Sequence, residues 1–180
     1  MYIFNIGKTY KLKKVLDYMK NNIKKSKIIL FLLFSCLFLL VMAELVSAGL
    51  QIVDANNFAS ASGSHYSSIR GNARGQSSLH LSTGSVVNYQ VSLVPNTVYR
   101  LIIRYSNDGP SESILMSLNG IGIGKFNTIS TGSGGYGWNS FTNSGEMYFK
   151  TKNAGQYTIT LQVRSGDSFG VEIDVLGFLS

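Results

Sequence analysis

The sequence predicts an all-β protein, built as an antiparallel β-sandwich, that follows an N-terminal apolar signal segment. After residue 50, apolar and polar residues alternate with a period of two, and no window has the spacing of a helix. Clusters of Gly, Asn, Asp and Ser separate the alternating runs at intervals typical of a sandwich or a barrel. Strands with one apolar and one polar face suit two antiparallel sheets that pack through their apolar faces.

The first 48 residues predict an export segment. A lysine-rich stretch ends at Lys27, and an uncharged apolar run follows at 28–43. Small residues at 46–48 complete the pattern of a secretory signal, so we expect cleavage after Ala48 or Ala43. The alternative is an uncleaved signal-anchor, and a start at Met19 would give the basic stretch a conventional length. Both interpretations make residues 49–180 an extracellular domain, which meets the membrane only if the leader is uncleaved.

The charge distribution argues against a nucleic-acid partner. Residues 1–48 hold eight lysines and two acidic residues, which accounts for +6 of the formal net charge of +7. Residues 49–180 therefore carry only +1. Nucleic-acid binding needs clustered positive charge on the folded domain, and this domain is close to neutral.

Two long alternating runs define the sheets. Residues 97–106 place Tyr99, Leu101, Ile103 and Tyr105 on one apolar face, and residues 156–164 repeat the pattern. On the polar face of the first run, Arg100 and Arg104 predict a solvated, salt-bridged surface. Asn119-Gly120 between two apolar runs is the strongest hairpin signal in the chain. Shorter alternating runs bring the expected number of strands to between eight and ten; they lie at 87–91, 114–118, 147–149 and 171–175.

The residues that usually carry catalysis form no recognisable motif. Cys36, the single cysteine, lies in the apolar run of the leader, so the extracellular domain has no thiol chemistry and no disulfide. The chain lacks the serine-hydrolase elbow, the zinc-protease helix and the phosphate-binding loop. His80 alternates with Leu79 and Leu81, which predicts a surface or edge position for its ring. A small hydrolase with an undetected pair of carboxylates is the weakest of the hypotheses that we consider.

Three segments, taken in order, match a known pattern. They are QIVDANNFASASG at 51–63; VVNYQVSLVPNTVYRLIIRYSN and SILMSLNGIGIGKFN at 86–127; and GGYGWNSF, KNAGQYTITLQV and FGVEIDVLGF at 134–178. Together they resemble the carbohydrate-binding modules of families 6 and 35 over essentially residues 50–180. The resemblance implies a galactose-binding-like jelly roll, no catalysis and sugar binding by loops, commonly with structural calcium.

The resemblance also assigns ligand-binding residues. Trp138 takes the place of the loop aromatic of the family, and its flat ring suits stacking on a pyranose; capping of the core is the alternative role. Tyr136 in the same loop and Tyr66 are further stacking candidates. Asn139 and Glu172 are the polar candidates, and Glu172 replaces the asparagine that binds sugar in the family. An ionised glutamate accepts hydrogen bonds but donates none, so we expect either a different ligand preference or a cleft that is not used.

The resemblance places a structural calcium ion at the oxygen-bearing residues Asp54, Asn56 and Asp174. Asn56 stands where the family has a second acidic residue, which removes one charge from the site. Asp174, between two apolar strand residues, should point away from the core, where either calcium or a nearby arginine would serve as its partner.

The sequence therefore predicts a secreted, non-catalytic domain that binds a polysaccharide or glycan. An extracellular structural or adhesive protein, using the same sandwich for protein–protein contacts, is the alternative.

Overall fold

The computed structural model describes residues 49–180, and the predictions for the leader at 1–48 lie outside these residues. Within residues 49–180, no helix is long and apolar enough to cross a membrane. The only helical segment described is one 3-10 turn, Gly137–Asn139. The strands are β1 (Gln51–Asp54), β2 (Ser60–Ser62), β3 (His65–Ile69), β4 (Ser77–Leu81), β5 (Val86–Leu93), β6 (Val98–Ser106), β7 (Ser113–Leu118), β8 (Ile121–Asn127), β9 (Thr142–Asn143), β10 (Met147–Lys150), β11 (Gly155–Ser165) and β12 (Val171–Leu179).

The strands form two sheets in which every pairing is antiparallel. The first sheet has the order β10-β6-β12-β4-β3, with β1 beside β12 and β9 beside β6. The second sheet has the order β2-β5-β11-β7-β8. The predicted all-β sandwich is therefore confirmed for the described part of the chain.

The core follows the predicted alternation. Tyr99, Leu101, Ile103 and Tyr105 of β6 are each at most 5% exposed, and the apolar residues of β11 face them from the second sheet. The buried tyrosines keep their hydroxyl groups hydrogen-bonded; that of Tyr89, for example, donates to the carbonyl oxygen of Ala55 at 3.0 Å. Aromatic residues with a satisfied polar end thus fill the space between the sheets without an unpaired hydroxyl.

The predicted hairpin is present at Asn119-Gly120. Both residues have positive φ, 49° and 80°, and they connect β7 to β8 with Leu118 opposite Ile121. Positive φ at both central residues matches the right-handed twist of the flanking strands, which is why Asn-Gly is favoured there.

Part of the outer face of the first sheet is covered by two loops. We call residues 70–76, between β3 and β4, the first covering loop, and residues 128–141, between β8 and β9, the second covering loop. Beneath them lie polar side chains that are at most 6% exposed: Ser78, His80, Ser106, Glu172 and Asp174. The prediction of a surface or edge position for His80 was wrong, because alternation identifies the face of a strand but does not show which loops lie over it.

Candidate functional site

A row of side chains crosses the outer face of the first sheet. Tyr66 on β3 pairs with His80 on β4, His80 pairs with Glu172 on β12, and Glu172 pairs with Ser106 on β6. Residues that pair directly across antiparallel strands project to the same face. Side chains from four strands, far apart in the sequence, therefore meet at one level of the sheet.

The second covering loop is fixed above this row by Asp108. Its carboxylate accepts the backbone N–H of Gly135 at 2.5 Å and that of Gly137 at 2.6 Å. A Cβ atom at Gly137 would lie 2.6 Å from Oδ1 of Asp108, so the close approach requires glycine. The hydroxyl of Ser106 donates to the carbonyl oxygen of Trp138 at 3.1 Å. These contacts position Trp138, in the 3-10 turn, at the end of β6.

Three rings then line up across the row. The ring of Tyr66 stacks on that of His80 at 4.4 Å between centroids and 19° between planes. The ring of Trp138 meets His80 at 5.6 Å and 61°. Tyr66 is 55% exposed, whereas Trp138 is half-buried and is not one of the residues of the hydrophobic core. The predicted candidates Tyr66 and Trp138 are therefore brought together, with His80 between them.

Arg70, in the first covering loop, is a member of the site that the sequence did not reveal. Its Nε donates to Oε2 of Glu172 at 2.7 Å, and its Nη2 donates to Oε1 at 2.5 Å. Its Cζ atom lies 6.0 Å from the centre of the Trp138 ring. Nothing in the local sequence around Arg70 indicates this role, because its partner is 102 residues away.

Glu172 is placed differently from its predicted role. Its side chain is 0% exposed, and Oε2 also accepts the hydroxyl of Ser78 at 2.7 Å. Burial acts to raise the pKa of Glu172, but His80, Arg70 and Ser78 favour the ionised form and lower this pKa to about 2. The buried carboxylate of Glu172 thus holds Arg70 beside Trp138. Its direct contact with a ligand stays a prediction.

Asn139 and Tyr136 lie on the exposed side of the second covering loop. Oδ1 of Asn139 accepts the backbone N–H of Asn72 at 2.9 Å, and the side-chain amide of Asn72 donates to the carbonyl oxygen of Asn139 at 2.9 Å. These bonds join the two covering loops. Tyr136 is 86% exposed, and within residues 49–180 its ring pairs with no other ring. Tyr136 therefore shares a loop with Trp138 but is not part of the ring cluster.

The residues predicted to bind calcium have other partners. Asp174 is 0% exposed; its Oδ2 pairs with Nη1 of Arg104, and its Oδ1 accepts the backbone N–H of Arg74 at 2.9 Å. Oδ1 of Asp54 accepts the backbone N–H of Asn56 at 2.8 Å. Among the described residues, no group of three or more His, Cys, Asp or Glu side chains is arranged to hold a metal ion.

This arrangement does not fit a calcium ion held jointly by Asp54, Asn56 and Asp174. Of the two partners considered for Asp174, the structure shows arginine, and the guanidinium of Arg104 supplies the positive charge that the ion would bring. The resemblance thus predicts calcium at these residues, whereas the ion pair between Asp174 and Arg104 predicts that calcium is not needed there.

The architecture has clear counterparts among solved structures. The C-terminal family 6 module of a marine laminarinase from Zobellia galactanivorans matches with a TM-score of 0.61 and 16% identity, over 73% of this chain and 100% of that chain. A family 35 module from Clostridium thermocellum matches with a TM-score of 0.60 and 19% identity, over 74% and 99%. The chain has the fold of the family 6 and family 35 carbohydrate-binding modules.

A further module with this fold, from Cellvibrio mixtus lichenase 5A, was solved in complex with cellotriose; it matches with a TM-score of 0.59 and 15% identity, over 72% of this chain and 96% of that chain. No family model matches the sequence. No curated protein matches it either.

Proposed function

We propose that residues 49–180 bind a carbohydrate without transforming it, at the ring cluster formed by Tyr66, His80 and Trp138. The observation that supports this function most strongly is the position of Trp138. Its ring is partly exposed, it lies outside the core, and polar side chains stand beside it. An aromatic face combined with a few fixed polar groups is the usual composition of a small-ligand site.

Each component has a defined task in this proposal. The faces of Trp138 and Tyr66 that are not covered by His80 stack on the apolar C–H face of a sugar ring. Arg70 retains N–H groups that Glu172 does not use, and these donate to sugar hydroxyl groups. Asn139, exposed at the edge, offers a side-chain amide. The ion pair and the loop-joining bonds hold these groups in place before the ligand arrives, which lowers the entropic cost of binding.

The acidic residues near the rings support a binding role rather than hydrolysis. A glycosidase needs two carboxyl groups on opposite sides of a bound sugar. Glu172 and Asp174 are buried and paired with arginines, and Asp108 is bonded to the backbone of the second covering loop. The solved structures with this fold include modules of carbohydrate-active enzymes, one of them in complex with cellotriose.

The proposed place of action is outside the cell. It rests on the basic stretch and the apolar run of the leader, which have the order of an export segment. N-terminal sequencing of material collected from the medium tests this part of the proposal, and a start at Gly49 or Glu44 is the expected result.

A depletion assay with insoluble polysaccharides tests the binding function. We expect the wild-type domain to leave solution with at least one polysaccharide, and Trp138→Ala to remain in solution. Tyr148→Ala is the matched control, because Tyr148 is a 58% exposed ring on β10, beside Arg100 and away from the ring cluster. Equal depletion of Trp138→Ala and wild type would refute the proposed site. Circular dichroism checks that Trp138→Ala and Tyr148→Ala both keep the β-sheet signal of the wild type.

A further inference from the structure

A depression lies at the end of the sandwich opposite the ring cluster. It is a cleft of about 470 Å³ between three segments: the β7–β8 turn, the loop after β10 and the beginning of β11. Lys150 in this cleft pairs with Val98 at the beginning of β6, whereas Trp138 contacts Ser106 at the end of β6. Eight residue steps along β6 separate the two ends by roughly 26 Å. The cleft is therefore distinct from the ring cluster.

The cleft is positively charged. Lys150 and Lys152 line it, and none of its other lining residues is acidic. Both lysines are exposed, and neither is in a salt bridge with any residue that the structure describes. Glu146, which directly precedes the strand of Lys150, is already paired with Arg100 at 2.7 Å. Two ammonium groups thus share a concave surface without a neighbouring carboxylate, and they attract an anion.

The walls of the cleft are held in place by hydrogen bonds. Oδ1 of Asn119 accepts the backbone N–H of Thr158 at 2.8 Å, which fixes the β7–β8 turn. The hydroxyl of Tyr157 donates to the carbonyl oxygen of Asn153 at 2.7 Å and accepts its N–H at 3.2 Å, which fixes the loop after β10. Ile121, 74% exposed, adds an apolar wall. The volume is within the range of small-ligand sites, about 300–1,000 Å³.

We propose that this cleft is a second binding site, specific for an acidic saccharide. Lys150 and Lys152 pair with a carboxylate or sulfate group on the sugar. Tyr157 and Ile121 contact the apolar face of the sugar ring, and the side-chain amide of Asn153 bonds to its hydroxyl groups. The claim that a saccharide carries the anion rests on the proposed function. The preference for an anion rests only on Lys150 and Lys152. One domain would then engage two saccharide segments at once, which raises its avidity for a polysaccharide.

Binding of two acidic probes tests the site and shows whether it prefers a carboxylate or a sulfate group. Calorimetry is performed on the wild-type domain with oligogalacturonides, which carry carboxylates, and with dextran sulfate; neutral dextran is the uncharged reference. We expect at least one acidic probe to bind, and to bind more weakly as sodium chloride is raised. The double variant Lys150→Ala/Lys152→Ala should weaken that binding by about five- to twenty-fold, as expected for the loss of two exposed ion pairs.

Two control variants make the outcome unambiguous. Lys125→Ala removes one positive charge from an exposed position on β8 outside the cleft, so it should leave the affinity within about two-fold. The two lysine substitutions should weaken binding of the acidic probe by the same factor in a Trp138→Ala background, even if neutral glycans prove not to bind at the ring cluster. The second site is refuted if neither acidic probe binds, if the double variant behaves like Lys125→Ala, or if the lysine substitutions have no effect in the Trp138→Ala background.

Discussion

Arg70 and Glu172 are 102 residues apart and form a two-pronged ion pair, with Nε–Oε2 at 2.7 Å and Nη2–Oε1 at 2.5 Å. Glu172 is fully buried on the last strand, whereas the side chain of Arg70 is 29% exposed. The pair therefore connects the covered outer face of the first sheet to the surface beside Trp138. Parallel bonds between a guanidinium and a carboxylate fix orientation as well as distance.

We expect Glu172→Gln to destabilise the domain at neutral pH. The substitution leaves Arg70 and Ser78 without a charged acceptor, and breaking a buried pair from one side costs about 3 kcal/mol. Urea unfolding measures the free energy of unfolding directly.

The pH dependence of the same variant gives a second check. The pKa of Glu172 is lowered from 4.5 to about 2. Its contribution to stability is thus present above pH 4.5 and lost as the pH falls towards 2. The difference in unfolding free energy between wild type and Glu172→Gln should shrink over that interval. A difference that stays constant down to pH 2 would contradict the assigned role of Glu172.

We expect Asp108→Ala to weaken glycan binding through the position of Trp138. The variant loses two short hydrogen bonds to the second covering loop, at Gly135 and Gly137. Hydrogen bonds to a charged group contribute about 1.5–3 kcal/mol each. Part of the free energy lost with these two bonds should appear as a roughly tenfold loss of affinity. Asp108→Asn retains one acceptor oxygen and should lie between Ala and wild type. Unchanged affinity in Asp108→Ala would show that the loop is held by other contacts.

The sequence predicts the fold well because the fold depends on local patterns. The alternation in β6 placed Tyr99 and Tyr105 in the core, and Asn119-Gly120 marked the hairpin; both signals lie within a few residues. The site depends on pairs that are distant in the sequence. The sequence does not reveal Arg70 and misplaces His80, because β12 and the second covering loop create the surroundings of both residues. No spacing rule within one strand reveals such neighbours.

Glu112 should make the stability of the domain fall as the pH rises. Burial, together with the nearby Asp167, raises its pKa from 4.5 to about 7 against the hydrogen bond from Thr128. Between these two values the folded state retains a proton that the unfolded chain has lost, so the free energy of unfolding decreases with increasing pH. We expect a decrease on the order of 2 kcal/mol between pH 4.5 and pH 7 from this group.

The variant Glu112→Gln isolates this effect, because a neutral amide does not titrate. Its unfolding free energy should depend less on pH than that of the wild type over the same interval, as measured by urea denaturation in matched buffers. Parallel pH profiles for the two proteins would rule out Glu112 as the titrating group.

Calcium addition or chelation should leave the melting temperature within about 1 °C. Arg104 and the backbone N–H of Arg74 already satisfy the carboxylate of Asp174. Differential scanning fluorimetry with calcium chloride and with EDTA measures the effect. A rise of several degrees with calcium would mean that Asp174 exchanges Arg104 for the ion, as the resemblance to calcium-binding modules implies.

The fluorescence of Trp138 tests the central claim most directly, because Trp138 is the only tryptophan of the chain. Titration with a polysaccharide fragment that the depletion assay identifies should change the tryptophan emission in a saturable manner. The midpoint should agree with the dissociation constant from calorimetry, and Trp138→Ala should bind at least about tenfold more weakly. Calorimetric binding with no change in emission, and with full affinity in Trp138→Ala, would contradict stacking on this ring.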